Sequence, residues 1–175
     1  MRDGTRRTKA ITLATAALAV VALLAGCSFA PSRGETAKEA KKSIENIEGV
    51  HSVFAESESQ LYVEHGGFAY LKVTLAPGYE VRDSQQALNW LLETAWSFND
   101  HKLDEGIFVD FDGSEGKRLD WGWQGAALRL GLPSTKLKSG DDPFFSSSVM
   151  AKKYGAWPGK VPPVPTNLTV AGSTK

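Results

Sequence analysis

The apolar residues between positions 36 and 48 recur every three or four residues, which is the spacing of an amphipathic helix. Charged side chains lie between them. Thr36 and Glu39 match a capping box, in which a hydroxyl and a carboxylate each satisfy a free backbone amide. Gly49 supplies a stop at the other end. We therefore predict a first helix whose buried stripe consists of Ala37, Ala40, Ile44 and Ile47.

A second apolar stripe at helical spacing begins after Asp83, a residue type that caps helix N-termini. Trp96 and Phe98 flank this stripe. A shorter stretch over residues 125–130, stopped by Gly131, predicts a third helix. The buried face of the second helix is expected to carry Leu88, Leu91, Leu92 and Ala95.

Apolar and polar residues alternate in four further segments, which is the pattern of half-buried strands. The strand at 50–57 is ambiguous, because Val50 and Phe54 share one face while Val53 and Ala55 share the other. The other expected strands cover residues 68–76, 106–112 and 117–121. In the first two of these, one face carries only apolar residues, namely Leu71, Val73, Leu75, Ile107, Val109 and Phe111.

The resulting order of elements is αββαββ, followed by the short helix. Amphipathic helices and alternating strands pack as two layers, because each layer buries its apolar side against the other. We therefore predict an α+β fold, a two-layer sandwich in which two helices cover one face of an antiparallel sheet. This order resembles a ferredoxin-like sandwich or a permuted form of it.

The sequence after residue 132 changes in character. We expect the sandwich domain to cover residues 35–132 and a C-terminal extension to cover residues 133–156. The extension starts as a polar loop and continues as a helix that begins near Pro143. Residues 157–175 contain four prolines and predict a flexible tail of polyproline type.

The second face of the predicted sheet mixes aromatic and charged residues. An exposed apolar patch usually indicates a docked partner or a covering segment. We predict a candidate interaction face on this side, formed by Phe68, Tyr70, Lys72, Phe108 and Asp110. The preferred interpretation is that the chain from Trp121 through Trp157 folds back over this face. If it does not, the face is the expected protein-docking surface.

The N-terminal segment has the pattern of a secretory signal peptide. It carries four basic residues before residue 10, an apolar run over 10–24 and small residues at the end of that run. Leu24, Ala25, Gly26 and Cys27 then resemble the lipobox of bacterial lipoproteins. Cys27 is also the only cysteine of the chain.

This resemblance implies cleavage after residue 26 and a diacylglyceryl group on the sulfur of Cys27. Residues 1–26 are then a signal peptide, and residues 27–34 are a lipidated tether to the membrane. An uncleaved signal anchor and ordinary secretion are the alternatives. The body of the chain is similar in style to small uncharacterised lipoproteins of actinobacteria, with Gly49 and Val50 opening a strand after the first helix.

Cleavage would leave a weakly acidic chain. The full sequence has 20 basic and 20 acidic residues. Residues 1–26 contain four of the basic residues and one of the acidic residues, so 16 basic and 19 acidic residues remain and the mature chain has a net charge of −3. Nucleic-acid binding needs a concentrated basic patch, and this balance argues against it. Because the single thiol is expected to be lipidated, no disulfide is expected and stability must come from packing.

The sequence offers no recognisable catalytic constellation. It lacks the common nucleophile, metalloprotease and dinucleotide motifs, and its three histidines lack metal-ligand spacing. Residues 110–116 begin like a calcium loop, but the glycine and the glutamate fall outside the required register. We therefore expect no enzyme, no metal and no cofactor.

Trp121 and Trp123 are a second candidate site. Paired tryptophans can stack on sugar rings, whereas the alternative is that they seal the end of the sheet. Taken together, we expect a non-catalytic lipoprotein on the extracytoplasmic face of the cell membrane. It would act as an interaction or assembly module for an envelope protein or a cell-wall component. The alternative is a glycan or small-ligand binding lipoprotein that uses the two tryptophans.

Overall fold

The structure, a computed structural model, describes residues 34–59, 66–132 and 142–172. The predicted signal peptide, the lipobox and the tether up to residue 33 lie outside these residues. The described residues form four α-helices: α1 (Ala37–Ile44), α2 (Ser84–Trp96), α3 (Trp123–Arg129) and α4 (Ser147–Tyr154). They also form six strands: β1 (Val50–Ser59), β2 (Gly67–Leu75), β3 (Tyr79–Val81), β4 (Gly106–Asp112), β5 (Phe144–Ser146) and β6 (Thr169–Ala171).

Both predicted amphipathic helices are confirmed, and each begins at the predicted cap. The backbone N–H of Thr36 donates to Glu39 Oε2 over 2.9 Å, and the N–H of Glu39 donates to Thr36 Oγ1 over 3.2 Å. Asp83 Oδ1 accepts from the backbone N–H groups of Gln85 and Gln86 at the start of α2. The caps therefore satisfy amides that would otherwise lack partners in the first helical turns.

The main sheet has four strands in the order β1-β2-β4-β5, and its two-layer α+β class is confirmed. One direction differs from the expectation: β2 and β4 are parallel, while β1–β2 and β4–β5 are antiparallel. The fully antiparallel, ferredoxin-like sheet is therefore wrong. The reason is that α2 lies between β2 and β4, and a helical crossover returns the chain to the same end of the sheet.

The ambiguous first strand places Val53 and Ala55 on the helix side. Val53 pairs with Val73 and Ala55 with Leu71, so they share the face that α1 and α2 cover. Phe54 consequently points to the other side, where 48% of it remains exposed.

The predicted strand at 117–121 is wrong. Those residues make only an isolated bridge between Asp112 and Arg118, after a 3₁₀ turn at Ser114–Gly116. The fourth strand is β5, which pairs with the first half of β4. The predicted last helix therefore starts later than expected, at Ser147. The strand β5 comes from the predicted C-terminal extension and belongs to the main sheet.

The segment expected to be a flexible tail is packed over residues 157–172. The indole N–H of Trp157 donates to the carbonyl of Phe98 over 2.9 Å, and Gly159 N donates to Trp96 O over 3.0 Å. Leu168 is only 2% exposed, and β6 pairs antiparallel with β3. This segment adds a small second sheet and lies along the C-terminal end of α2.

Candidate interaction face

The side of the main sheet that points away from the helices carries all five predicted interaction residues. Strand register places three rows of side chains across this outer face. The first row is Phe54, Lys72 and Asp110; the second is Glu56, Tyr70, Phe108 and Phe144; the third begins with Glu58 and Phe68. We use the name outer face for these residues together with Asp112 and Asp142.

Four aromatic rings of the outer face form a continuous cluster. The rings of Tyr70 and Phe108 are stacked, with centroids 4.9 Å apart, and Phe144 lies 4.8 Å from Phe108 on the other side. Phe68 is 5.9 Å from Phe108. Each ring is half-buried, so part of its apolar surface is packed against neighbouring residues and part is open to solvent. Phe144 was missed by the sequence analysis because β5 has only three residues.

A group of charged side chains borders the aromatic cluster. Lys72 Nζ lies 3.1 Å from Asp142 Oδ2 and 3.6 Å from Asp112 Oδ2. Arg118 Nη2 lies 3.6 Å from Asp110 Oδ2 and 3.6 Å from Asp142 Oδ1. Asp142 and Arg118 come from segments far apart in sequence, and no local pattern could have joined them to Lys72. The group contains three carboxylates and two cations.

Asp110 is the buried member of this group, with 1% of its surface exposed. Its Oδ1 accepts hydrogen bonds from the indole N–H of Trp121 over 2.8 Å and from the backbone N–H of Phe111 over 2.9 Å. Its Oδ2 accepts no hydrogen bond from the described residues. Burial raises the pKa of the Asp110 carboxyl above its usual range, and the bond from Trp121 offsets part of that shift.

A pocket of about 200 Å³ opens on the outer face between the aromatic cluster and the charged group. Its walls include Phe54, Tyr70, Lys72, Phe108, Asp110 and Asp142. Four of the five predicted interaction residues thus meet at one concave position, which the alternation of residues along single strands does not reveal.

The predicted cover from Trp121 through Trp157 reaches the outer face only in part. Asp142 and Phe144 lie on it, but Trp157 packs against Phe98 at the end of α2, on the helix side. The described residues of this segment therefore cover the outer face only in part, and residues 133–141 of the predicted cover lie outside the described residues. Phe54, 48% exposed, remains the most open aromatic residue of the outer face.

Trp121 and Trp123 do not form an open platform for a sugar ring. Trp121 is 6% exposed and packs edge-on against Phe111, with centroids 5.2 Å apart, while its N–H is bound to Asp110. Trp123 is half-buried against the core. Trp121 is instead held against two residues of β4, Asp110 and Phe111.

A larger cavity of about 480 Å³ lies between α2, the end of α4 and the proline-rich segment after residue 157. Two polar side chains in its wall are bound within the chain: the indole N–H of Trp96 donates to Gly155 O, and the hydroxyl of Tyr154 donates to Asn89 Oδ1. Burial raises the pKa of the Tyr154 hydroxyl well above its usual range. Among the described residues that line this cavity, none has a buried side-chain N or O atom without a hydrogen-bond partner.

The described residues contain no group of three or more His, Cys, Asp or Glu side chains placed to hold a metal ion. No helix within them is long and apolar enough to span a bilayer. The chain matches no family model, no curated protein and no solved structure at a significant level.

Proposed function

We propose that this chain is a non-catalytic, lipid-anchored protein of the cell envelope whose outer face docks a partner protein close to the membrane. The observation that carries the docking role is the concave junction of aromatic and charged residues on the outer face. The membrane location is supported by the lipobox pattern at residues 24–27 and by the single cysteine.

The composition of the outer face favours a protein partner. Aromatic residues and arginine are enriched in protein–protein interfaces, and their energetic centres are aromatic or charged side chains in well-packed pockets. The outer face supplies the rings of Phe54, Tyr70 and Phe108 around one pocket, and Glu56 lies beside Tyr70 on the neighbouring strand. The glycan-binding alternative depends on Trp121 and Trp123, and Trp121 is only 6% exposed.

The short tether would hold the domain near the bilayer. The chain between Cys27 and Gly34 can reach at most about 25 Å when fully extended. The first described residues are firmly attached to the domain: Glu35 N donates to Ser97 O, and Asn99 N donates to Glu35 O, both over 2.9 Å. The anchor would thus connect directly to the C-terminal end of α2.

The membrane location is tested by Cys27→Ser. We expect labelled palmitate on the wild-type chain and none on the variant, which should also leave the membrane fraction after a carbonate wash. Ser28→Ala is the matched control and should behave as wild type. Retention of the Cys27→Ser chain in washed membranes would refute the lipid anchor.

The docking role is tested by photo-crosslinking in intact cells of the source organism. A photoreactive amino acid at position 54 reports on the outer face, and one at position 128 reports on α3, where Leu128 is 65% exposed. We expect a discrete crosslinked species from position 54 and none from position 128. Identical crosslinking patterns from the two positions, or none from position 54, would contradict the proposal.

A further inference from the structure

We propose that the pocket on the outer face takes the guanidinium group of an arginine side chain from the partner protein. This inference rests on the proposed docking function and names the chemistry of its central contact.

The charge of the pocket favours a cation. Among the described residues, Asp110, Asp112 and Asp142 pair with Lys72 and Arg118, so carboxylates outnumber cations by three to two in this group. The neighbouring strand β1 adds two further carboxylates on the outer face: Glu56 pairs with Tyr70, and Glu58 pairs with Phe68. Among the described residues of this face, β1 and β4 carry carboxylates and β2 carries one lysine, so a basic group meets a net negative charge.

One buried atom indicates where the cation would bind. Asp110 lines the pocket and is 99% buried, yet its Oδ2 accepts no hydrogen bond from the described residues. Arg118 lies 3.6 Å from that oxygen, which is an ionic distance rather than a hydrogen bond. A buried carboxylate oxygen without a donor is costly, and an incoming N–H donor would remove that cost. Burial also raises the pKa of the Asp110 carboxyl.

The walls favour guanidinium over ammonium. Phe54, Tyr70 and Phe108 contribute aromatic surface beside the carboxylates. Guanidinium is planar, is less strongly hydrated than ammonium and combines stacking on rings with forked hydrogen bonds to carboxylates. A volume of about 200 Å³ is below the range of about 300–1,000 Å³ typical of small-molecule sites. It suits one side chain of a larger partner.

The test uses the purified full-length chain in detergent micelles and three small probes. N-acetyl-arginine methylamide carries the cation, N-acetyl-citrulline methylamide is its neutral analogue of the same shape, and N-acetyl-glutamate methylamide carries an anion. Binding is followed by NMR through the indole N–H of Trp121, which donates to Asp110. We expect saturable millimolar binding of the arginine probe and binding about tenfold weaker for the citrulline probe.

Two variants locate the contact. Asp110→Asn keeps the acceptor for Trp121 but removes the charge, and Tyr70→Leu removes one ring; each should weaken binding of the arginine probe about fivefold or more. Asp120→Asn, an exposed aspartate outside the pocket, is the matched control and should bind as wild type. The comparison of probes needs only the wild-type chain, so it decides the question even if a variant fails to fold.

Equal binding of the arginine and citrulline probes would overturn the inference. So would tighter binding of the glutamate probe through Lys72, or no saturable shift with the arginine probe. These readouts require neither a lipid nor a partner. A negative result with these probes would therefore refute the arginine contact alone, whereas negative palmitate or crosslinking results would refute the lipid anchor or the docking role.

Discussion

Asp110 links the core of this protein to its outer face. Oδ1 is held by Trp121 and Phe111 inside the fold, while Oδ2 belongs to the charged group with Arg118. Burial disfavours the charged form of this carboxyl group and raises its pKa above the usual value of 3.8. Its cost to stability should therefore depend on pH.

The sign of that dependence follows from the order of ionisation. Because the pKa of the folded Asp110 carboxyl is raised, the unfolded chain loses its proton first as the pH rises above 3.8. The contribution of Asp110 to the free energy of unfolding should therefore be greatest in acid. It should decrease with rising pH until the folded carboxyl has also ionised, and then remain constant.

Asp110→Asn removes this titration while retaining an acceptor for Trp121. The free energy of unfolding of the wild type minus that of the variant should decrease as the pH rises from 3.8 towards the raised pKa of the folded Asp110 carboxyl. Urea unfolding at a series of pH values measures it. The exposed Asp120→Asn is the control and should give a small difference. A wild type that gains on Asp110→Asn with rising pH would show that the pKa is lowered instead.

At the scale of elements, β5 is short but structurally important. Its central residue, Phe145, is 3% exposed and lies on the helix side of the sheet opposite Ile107. Its neighbours Phe144 and Ser146 lie on the outer face. The backbone carbonyl of Phe145 and the ring of Phe144 come so close to Gly106 that they leave no room for a Cβ atom there.

Phe145→Ala should destabilise the chain by about 3–5 kcal/mol, because it removes a buried ring and leaves a cavity in the core. Phe54→Ala is the matched control in the same sheet and should cost about 1 kcal/mol or less, since that ring is already half in water. Equilibrium urea unfolding compares the two. Similar costs for both variants would mean that β5 does not contribute to the core.

At the scale of the whole molecule, the last described segment joins distant parts of the fold. It passes the C-terminal end of α2 at Trp157 and reaches β3 through β6. Between these points Leu168 is buried, and the Thr169 hydroxyl donates to the carbonyl of Glu48 just after α1. A single segment thus contacts the ends of both main helices.

Leu168→Ala should lower the free energy of unfolding by about 2–5 kcal/mol, as expected for a buried leucine. Val164→Ala changes a residue of the same segment that is 42% exposed, and it should cost about 0.5 kcal/mol or less. The unfolding midpoints of the two variants can be compared directly. If Leu168→Ala were as mild as Val164→Ala, the segment would not be part of the cooperative unit.

The sequence predicts which strand residues lie on the outer face, but it does not predict the pocket that they form. Phe68, Tyr70, Lys72, Phe108 and Asp110 follow from alternation along two strands, because side chains two residues apart share a face. The pocket also needs Phe54 and Asp142, and the charged group needs Arg118. The side of β1 was ambiguous, and the other two residues belong to no regular alternation.

The sequence by itself determined the elements whose signals are local. Caps such as Thr36 with Glu39, apolar stripes of period 3.6 and the alternation of β2 and β4 act within a few residues, and they placed both main helices and the inner face. The lipobox is also local, and the lipid anchor stays a prediction.

Only the tertiary structure decided the pairing of β4 with the three-residue β5, the parallel direction of β2 and β4, and the packing of the last segment. These choices depend on contacts between residues far apart in sequence. Their free energy comes from burying surfaces such as those of Phe145 and Leu168 against partners that no local pattern identifies.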